Sequence, residues 1–127
     1  MREIDVTVKV LIVDDQEPFR AVAREVVEVA GDFQVVGEAA SGEESIVLAG
    51  SLHPDLVLMD VNLPGIDGTE ATKRILAAGG GAKVLLLSTY EEEEYSDRAR
   101  ECGAFAYVPK SAFDPARLAG VWAAAEG

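Results

Sequence analysis

Short apolar runs and longer stretches of helical periodicity alternate along the whole chain. The apolar runs are Val8 to Val13, Phe33 to Glu38, Leu56 to Met59, Val84 to Leu87 and Phe105 to Val108. Each has the length of a strand and is bounded by turn or helix signals. The middle runs are rich in Val, Leu and Ile almost without interruption, as strands covered by helices on both faces must be. Between the runs, Phe19, Val22, Val26 and Val29 recur at helical spacing, and Gly31 sits where that helix ends. Ser41 and Glu44 stand three apart, the spacing of a capping box, ahead of Ile46, Leu48 and Leu52. Thr69 to Ala78, followed by Gly79-Gly80-Gly81, predicts a third helix, and Glu91 to Cys102, followed by Gly103, a fourth. Asp114-Pro115 supplies a cap and a first-turn proline for a short fifth helix carrying Leu118, Val121 and Trp122, with Ala123 to Gly127 as its fraying end. Five strands alternating with five helices predict an α/β fold with a parallel sheet.

At 127 residues the chain is long enough for one domain with its own core and too short for two ordinary ones. No internal repeat, low-complexity tract or evident linker divides it. Its formal net charge of −12 argues against direct binding to a nucleic-acid backbone, which draws affinity from Lys and Arg neutralising phosphates. Cys102 is the single cysteine, so no intramolecular disulfide forms, and a cytoplasmic location is expected. Charges interrupt the apolar residues of Met1 to Val10, unlike the continuous apolar region of a signal peptide. No apolar run approaches the roughly 20 residues of a membrane-spanning helix.

In an open parallel sheet, ligands bind outside the carboxyl ends of the strands, where the strand order reverses. The first run stops at Asp14-Asp15 and the third at Asp60. Right-handed crossovers leading in either direction from strand one make strands one and three neighbours, so the three carboxylates converge. Two carboxylates about 4 Å apart repel by roughly 4 kcal/mol at an effective dielectric of 20, so the cluster needs a cation or a shared proton. Hard oxygen ligands and partial hydration point to Mg²⁺ or Mn²⁺. Any one of these residues alone reads better as the start of a loop or turn; three at matched strand ends read as a site. Strand four ends in Ser88-Thr89 and strand five in Tyr107-Val108-Pro109-Lys110, so a hydroxyl and an ammonium join the same edge. Carboxylates, a cation and a hydroxyl together make a phosphoryl-binding set.

Leu11-Ile12-Val13-Asp14-Asp15, the stretch Leu58-Met59-Asp60-Val61-Asn62-Leu63-Pro64-Gly65-Ile66-Asp67-Gly68, the Ser88-Thr89 pair and Lys110 resemble the receiver domains of two-component response regulators. The resemblance covers nearly the whole chain, residues 1–127 as one receiver, and is nearest to the NarL/FixJ (LuxR-type) branch. It implies a flavodoxin-like, CheY-like three-layer sandwich with strand order 2-1-3-4-5. It also implies that Asp60 is the phosphoacceptor, that Asp15, Asp60 and the backbone carbonyl of Asn62 ligate the metal, and that Asp14 acts through a metal-bound water. Lys110 would pair first with the acceptor and then with the phosphoryl oxygens. Ser88 takes the place of the switch hydroxyl, and Tyr107 that of an aromatic whose ring turns inward on activation, although a buried Tyr at this position reads equally well as plain core. Asn62 and Tyr90, each two positions beyond the acceptor or the switch hydroxyl, would tune dephosphorylation. The expected partner is a sensor histidine kinase, with homodimerisation on phosphorylation and DNA reached only through a C-terminal helix-turn-helix outside this chain. The expected output is transcriptional, and the domain is expected to be a switch rather than a turnover enzyme.

Some positions depart from the common pattern. Thr89 replaces the small residue often found beside the switch hydroxyl, Lys110 is followed by Ser111 instead of proline, and the peptide before Pro109 is open to cis or trans. Two other readings fit parts of the pattern. A haloacid-dehalogenase-like phosphatase also places a nucleophilic Asp after a strand, but its motif has a second Asp two residues on, where this chain has Asn62. A receiver-like interaction module that works without phosphorylation would not need the intact acidic set, Ser88 and Lys110.

Overall fold

Alternate residues of the apolar runs point to opposite faces of one sheet, and each face is closed by helices. The computed structural model describes residues 7–89 and 92–126, with 92–96 and 126 described by backbone alone. The strands are β1 (Val8–Val13), β2 (Phe33–Ala39), β3 (Leu56–Asp60), β4 (Lys83–Ser88) and β5 (Ala106–Pro109), all parallel, in the order 2-1-3-4-5. The helices are α1 (Glu17–Ala30), α2 (Gly42–Leu52), α3 (Gly68–Ala77), α4 (Glu92–Cys102) and α5 (Pro115–Glu126).

Leu11, Val13, Val57, Met59, Val84 and Leu86 share one core with buried residues of α3 and α4 and partly buried residues of α2. Val10, Ile12, Leu56, Leu58, Leu85 and Leu87 share the other with α1 and α5. Every residue of β3 is buried, which is why that strand carries no alternating polar positions. Each fully buried Leu, Ile or Val side chain contributes about 1.5–3 kcal/mol of transfer free energy, so the two cores fix the sheet and hence the strand ends. Among the described residues no helix is long and apolar enough to cross a membrane.

The predicted caps form. Ser41 accepts the Glu44 N–H, while the Glu44 carboxylate reaches back to the Ala40 N–H, one residue before the usual partner. Asp114 accepts the Arg117 N–H at the start of α5. That helix is longer than expected, running unbroken over 12 residues to Glu126, because Leu118, Val121 and Trp122 pack against the sheet and hold its alanine-rich end. The core stripe of α1 also differs from the predicted one. Ala23, Val26 and Val27 are buried, whereas Val22 and Val29 are 49% and 66% exposed. The helix is rotated so that small Ala23 lies against the sheet, a choice that hydropathy alone does not make. The fifth strand begins at Ala106, and Lys110 opens a 3-10 turn, Lys110–Ala112, beyond the strand end; the Val108–Pro109 peptide is trans.

The loop between β3 and α3 is tightly wound. The Gly68 N–H donates to the Val61 carbonyl at 2.9 Å, and a Cβ on Gly68 would stand 2.1 Å from the Asp60 carbonyl oxygen. Because the obstacle is backbone, the loop itself would have to move. Gly68→Ala is therefore expected to lose at least about 2 kcal/mol of stability, as overpacking at a rigid contact does. Urea unfolding monitored by far-UV circular dichroism measures this; an unchanged midpoint would contradict it.

Candidate functional site

Strands β1 and β3 are neighbours, with Val13 paired to Met59, so Asp14 and Asp15 just beyond β1 meet Asp60, the last residue of β3, at the carboxyl edge of the sheet. One carboxylate oxygen each from Asp14, Asp15 and Asp60 lies within 4.8 Å of the others. Asp14 is 1% exposed. Its Oδ1 accepts the Gln16 N–H at 2.7 Å, and its Oδ2 lies 2.7 Å from Lys110 Nζ. Asp15 is exposed, and among the described residues its Oδ2 accepts one long hydrogen bond, 3.3 Å, from the Gln16 side-chain amide. Asp60 is buried; its Oδ1 accepts the Asn62 N–H at 3.3 Å and stands 3.6 Å from Lys110 Nζ.

Lys110 is thus closer to Asp14 than to the expected acceptor. Its ammonium also lies over the Phe19 ring, 4.5 Å from the centroid, an arrangement that favours a cation on the ring face. Three carboxylates facing one ammonium leave two negative charges uncompensated when all are ionised. The electrostatic consequence appears at Asp60, whose carboxyl is pushed up from 3.8 to about 6, first by burial and then by the Asp14 charge, with Lys110 and the Asn62 N–H opposing. The donors suit a divalent hard cation: all are oxygens, and among the described residues buried Asp14 Oδ2 has the Lys110 ammonium beside it but accepts no hydrogen bond of good geometry.

The remaining predicted residues fall around this cluster. Ser88, fully buried at the end of β4, has its Oγ 3.5 Å from the Asn62 amide nitrogen, so the acceptor loop and the β4 hydroxyl are in contact. Thr89 follows it and is exposed. Tyr107 on β5 is buried in the core shared with Ala99 and Cys102 of α4. Tyr90 and Glu91 lie outside the described residues.

Several contributors are not legible from strand ends. Arg20 donates to the Asp14 carbonyl oxygen, and Glu38 at the end of β2 ion-pairs with Arg20 and Arg24. Glu43 of α2 accepts the Ile66 N–H at 3.3 Å, pinning the acceptor loop. The i, i+4 spacing of Arg20 and Arg24 after Glu17 was the available signal for the first group.

An open parallel sheet of order 2-1-3-4-5 defines a flavodoxin-like α/β domain, and the acidic cluster and lysine lie at its carboxyl edge, where ligands bind in open sheets of this kind. The family is shown by sequence: a family model described as the response regulator receiver domain matches residues 10–121, and the chain belongs to that family. It is 43% identical over 106 residues to the response regulator GacA of Pseudomonas syringae pv. syringae (strain B728a), a match covering 83% of this chain and 49% of that protein. The chain therefore spans about half the length of such relatives. Among solved structures, it superposes on a LuxR-family two-component response regulator from Aurantimonas sp. SI85-9A1 with a TM-score of 0.85 at 36% identity, covering 93% of this chain and 84% of that one. It also matches the signal receiver domain of the putative response regulator NarL from Mycobacterium tuberculosis, with a TM-score of 0.86 at 28% identity, covering 95% and 98%. Receivers of this family are phosphoacceptor switches in two-component signalling, fed by histidine kinases, rather than turnover enzymes.

Proposed function

We propose that Asp60 takes a phosphoryl group from a histidine kinase in a step that requires Mg²⁺ or Mn²⁺, and that Asp14, Asp15, Asp60 and the Asn62 carbonyl hold the cation, Asp14 through a water. The observation that carries this reading is the meeting of three carboxylates within 4.8 Å beside the Lys110 ammonium. An Asp60 carboxyl near 6 is mostly ionised at neutral pH, so it attacks without a general base. Its oxygen forms a bond to phosphorus as the bond from phosphorus to the kinase histidine nitrogen breaks, and the imidazole leaves as the new acyl phosphate forms. When bound, the cation would supply charge neutralisation for the phosphoryl oxygens. Lys110 does the same from the other side, moving its charge from the carboxylates to the transferred group.

Ser88 is the proposed reader of the product. Its hydroxyl, now beside Asn62, would turn to the phosphoryl oxygen, a contact available only in the phosphorylated state and therefore able to shift a conformational equilibrium. The face of β4, α4 and β5 would change with it, Tyr107 among its residues. Thr89, Asn62 and Tyr90 would set how easily water reaches the acyl phosphate, and hence the rate of self-dephosphorylation. The output is proposed to be transcriptional, exercised by a DNA-binding segment outside these 127 residues and accompanied by homodimerisation, in the cytoplasm.

Incubation with Mg²⁺ and acetyl phosphate or phosphoramidate is expected to add one phosphoryl group by intact-mass spectrometry, and Asp60→Asn to add none. Absence of an adduct with every small donor and with a cognate kinase would favour the phosphorylation-independent interaction module. Rapid turnover of unrelated phosphomonoesters would favour the phosphatase.

A further inference from the structure

Metal affinity in such a site depends on how firmly its carboxylates are held before the ion arrives. Asp60 is buried, and Asp14 is held by Gln16 and Lys110. Asp15 is different, since it is exposed and its carboxylate has a single long hydrogen bond among the described residues. What fixes it must act through the backbone. The sheet holds the preceding Val13–Asp14 peptide, where the Asp14 N–H donates to the Ala39 carbonyl at 3.0 Å. The Asp14–Asp15 peptide itself is held at its carbonyl by Arg20, whose Nη1 donates to Asp14 O at 2.5 Å.

Arg20 is itself immobilised. Its Nη2 meets Glu17 at 2.7 Å and its Nε lies 3.3 Å from Glu38, so all three guanidinium nitrogens are engaged. Arg24 buttresses the same acids from the next turn, with Nη1 at 2.7 and 2.8 Å from the two Glu38 oxygens and Nη2 at 3.2 Å from Glu17. Arg24, however, is 37% exposed against 17% for Arg20, and it is not bonded to the acidic turn. With its charge shared between two carboxylates, Arg20 contributes geometry to the metal site more than field. A lysine carries the charge but cannot span three acceptors with one planar group.

We infer that Arg20 is a positioning residue for the metal site: its guanidinium, braced by Glu17 and Glu38, fixes the Asp14–Asp15 peptide and so presents the Asp15 carboxylate to the divalent cation. The inference rests on the reading of Asp14, Asp15 and Asp60 as the cation site.

The test is the Mg²⁺ dissociation constant of the full 127-residue chain by isothermal titration calorimetry, together with the Mg²⁺ dependence of phosphorylation by acetyl phosphate. Arg20→Met is expected to weaken Mg²⁺ by about tenfold, in the range seen when an outer partner of a metal ligand is removed. Arg20→Lys is expected to rescue little of the loss. Arg24→Met, which breaks the same acids' ion pairs without touching Asp14, is expected to stay within about twofold of the wild type. In the kinetics, the Arg20 variants should need more Mg²⁺ for half the maximal rate while reaching nearly the wild-type rate at saturation. Wild-type affinity in Arg20→Met, or an equal loss in Arg24→Met, overturns the inference and leaves the cation site standing. No Mg²⁺ binding by the wild type overturns both. Should Arg20→Met fail to fold, the comparison of Arg20→Lys with Arg24→Met decides in the same way.

Discussion

Asp60→Asn protein in metal-free buffer at pH 8 is expected to be more stable than the wild type, by about 3 kcal/mol, the equivalent of moving one carboxyl from 3.8 to about 6. The unfolded chain releases the Asp60 proton near 3.8, whereas the folded protein keeps it until about 6. Between these values the folded state binds more protons, so the stability contributed by Asp60 is full below about pH 4 and is lost as pH rises through 6. An asparagine never ionises and escapes that loss. The difference between variant and wild type should therefore be near zero at pH 4, grow to pH 6–7 and then level off. Other titrating groups are common to both proteins and cancel to first order. Adding Mg²⁺ should close or reverse the gap, because an ion bound only by the folded wild type stabilises it by mass action. Urea unfolding across pH, with EDTA or Mg²⁺, gives the comparison. A wild type that remains the more stable protein at pH 8 in EDTA would show that Asp60 is not strained by its neighbours.

Lys110→Met should separate the two jobs of the lysine. Its ammonium stands 2.7 Å from Asp14 and 3.6 Å from Asp60, so its removal leaves the carboxylates with no direct counter-charge among the described residues. Mg²⁺ should bind more tightly, roughly tenfold, as expected when a competing cation leaves a site of this kind. Phosphorylation by acetyl phosphate should nevertheless slow on the order of a hundredfold, because the charge that balances the transferred group is gone. In metal-free buffer Asp60, relieved of an influence that lowers its pKa, should also titrate higher than in the wild type. Tighter metal with slower transfer is a combination that general loosening of the site does not produce. Weaker metal and slower transfer together would assign Lys110 a structural role, through its seat on Phe19, in place of an electrostatic one.

The same pair of residues shows where reading along the chain stops. That Asp14, Asp15 and Asp60 end neighbouring strands follows from local pattern and the handedness of crossovers, and the structure brings them together. That Lys110 sits nearer Asp14 than Asp60 does not follow, since the residue lies in a 3-10 turn whose direction depends on how Phe113 and Phe19 pack, with ring centroids 6.3 Å apart. Helix α1 makes the point on a larger scale. Its periodicity is plain, but two overlapping stripes are apolar, and only contact with the sheet selects Ala23 and Val27 over Val22 and Val29. The same rotation carries Arg20 to the Asp14 carbonyl and Arg24 to Glu38.

By itself the sequence determined the strand and helix alternation, the caps at Ser41 and Asp114, the parallel sheet and the acidic edge where Asp60 lies. These depend on neighbours within a turn or on the two-residue period of a strand, forces that act over a few residues. The tertiary structure decided the full length of α5, the face of α1, the Lys110 partner and the clamp of Arg20 on the acidic turn. Each of these is a choice among locally equivalent arrangements, and packing between segments distant in sequence makes it, because only there do burial and charge pairing differ between the alternatives.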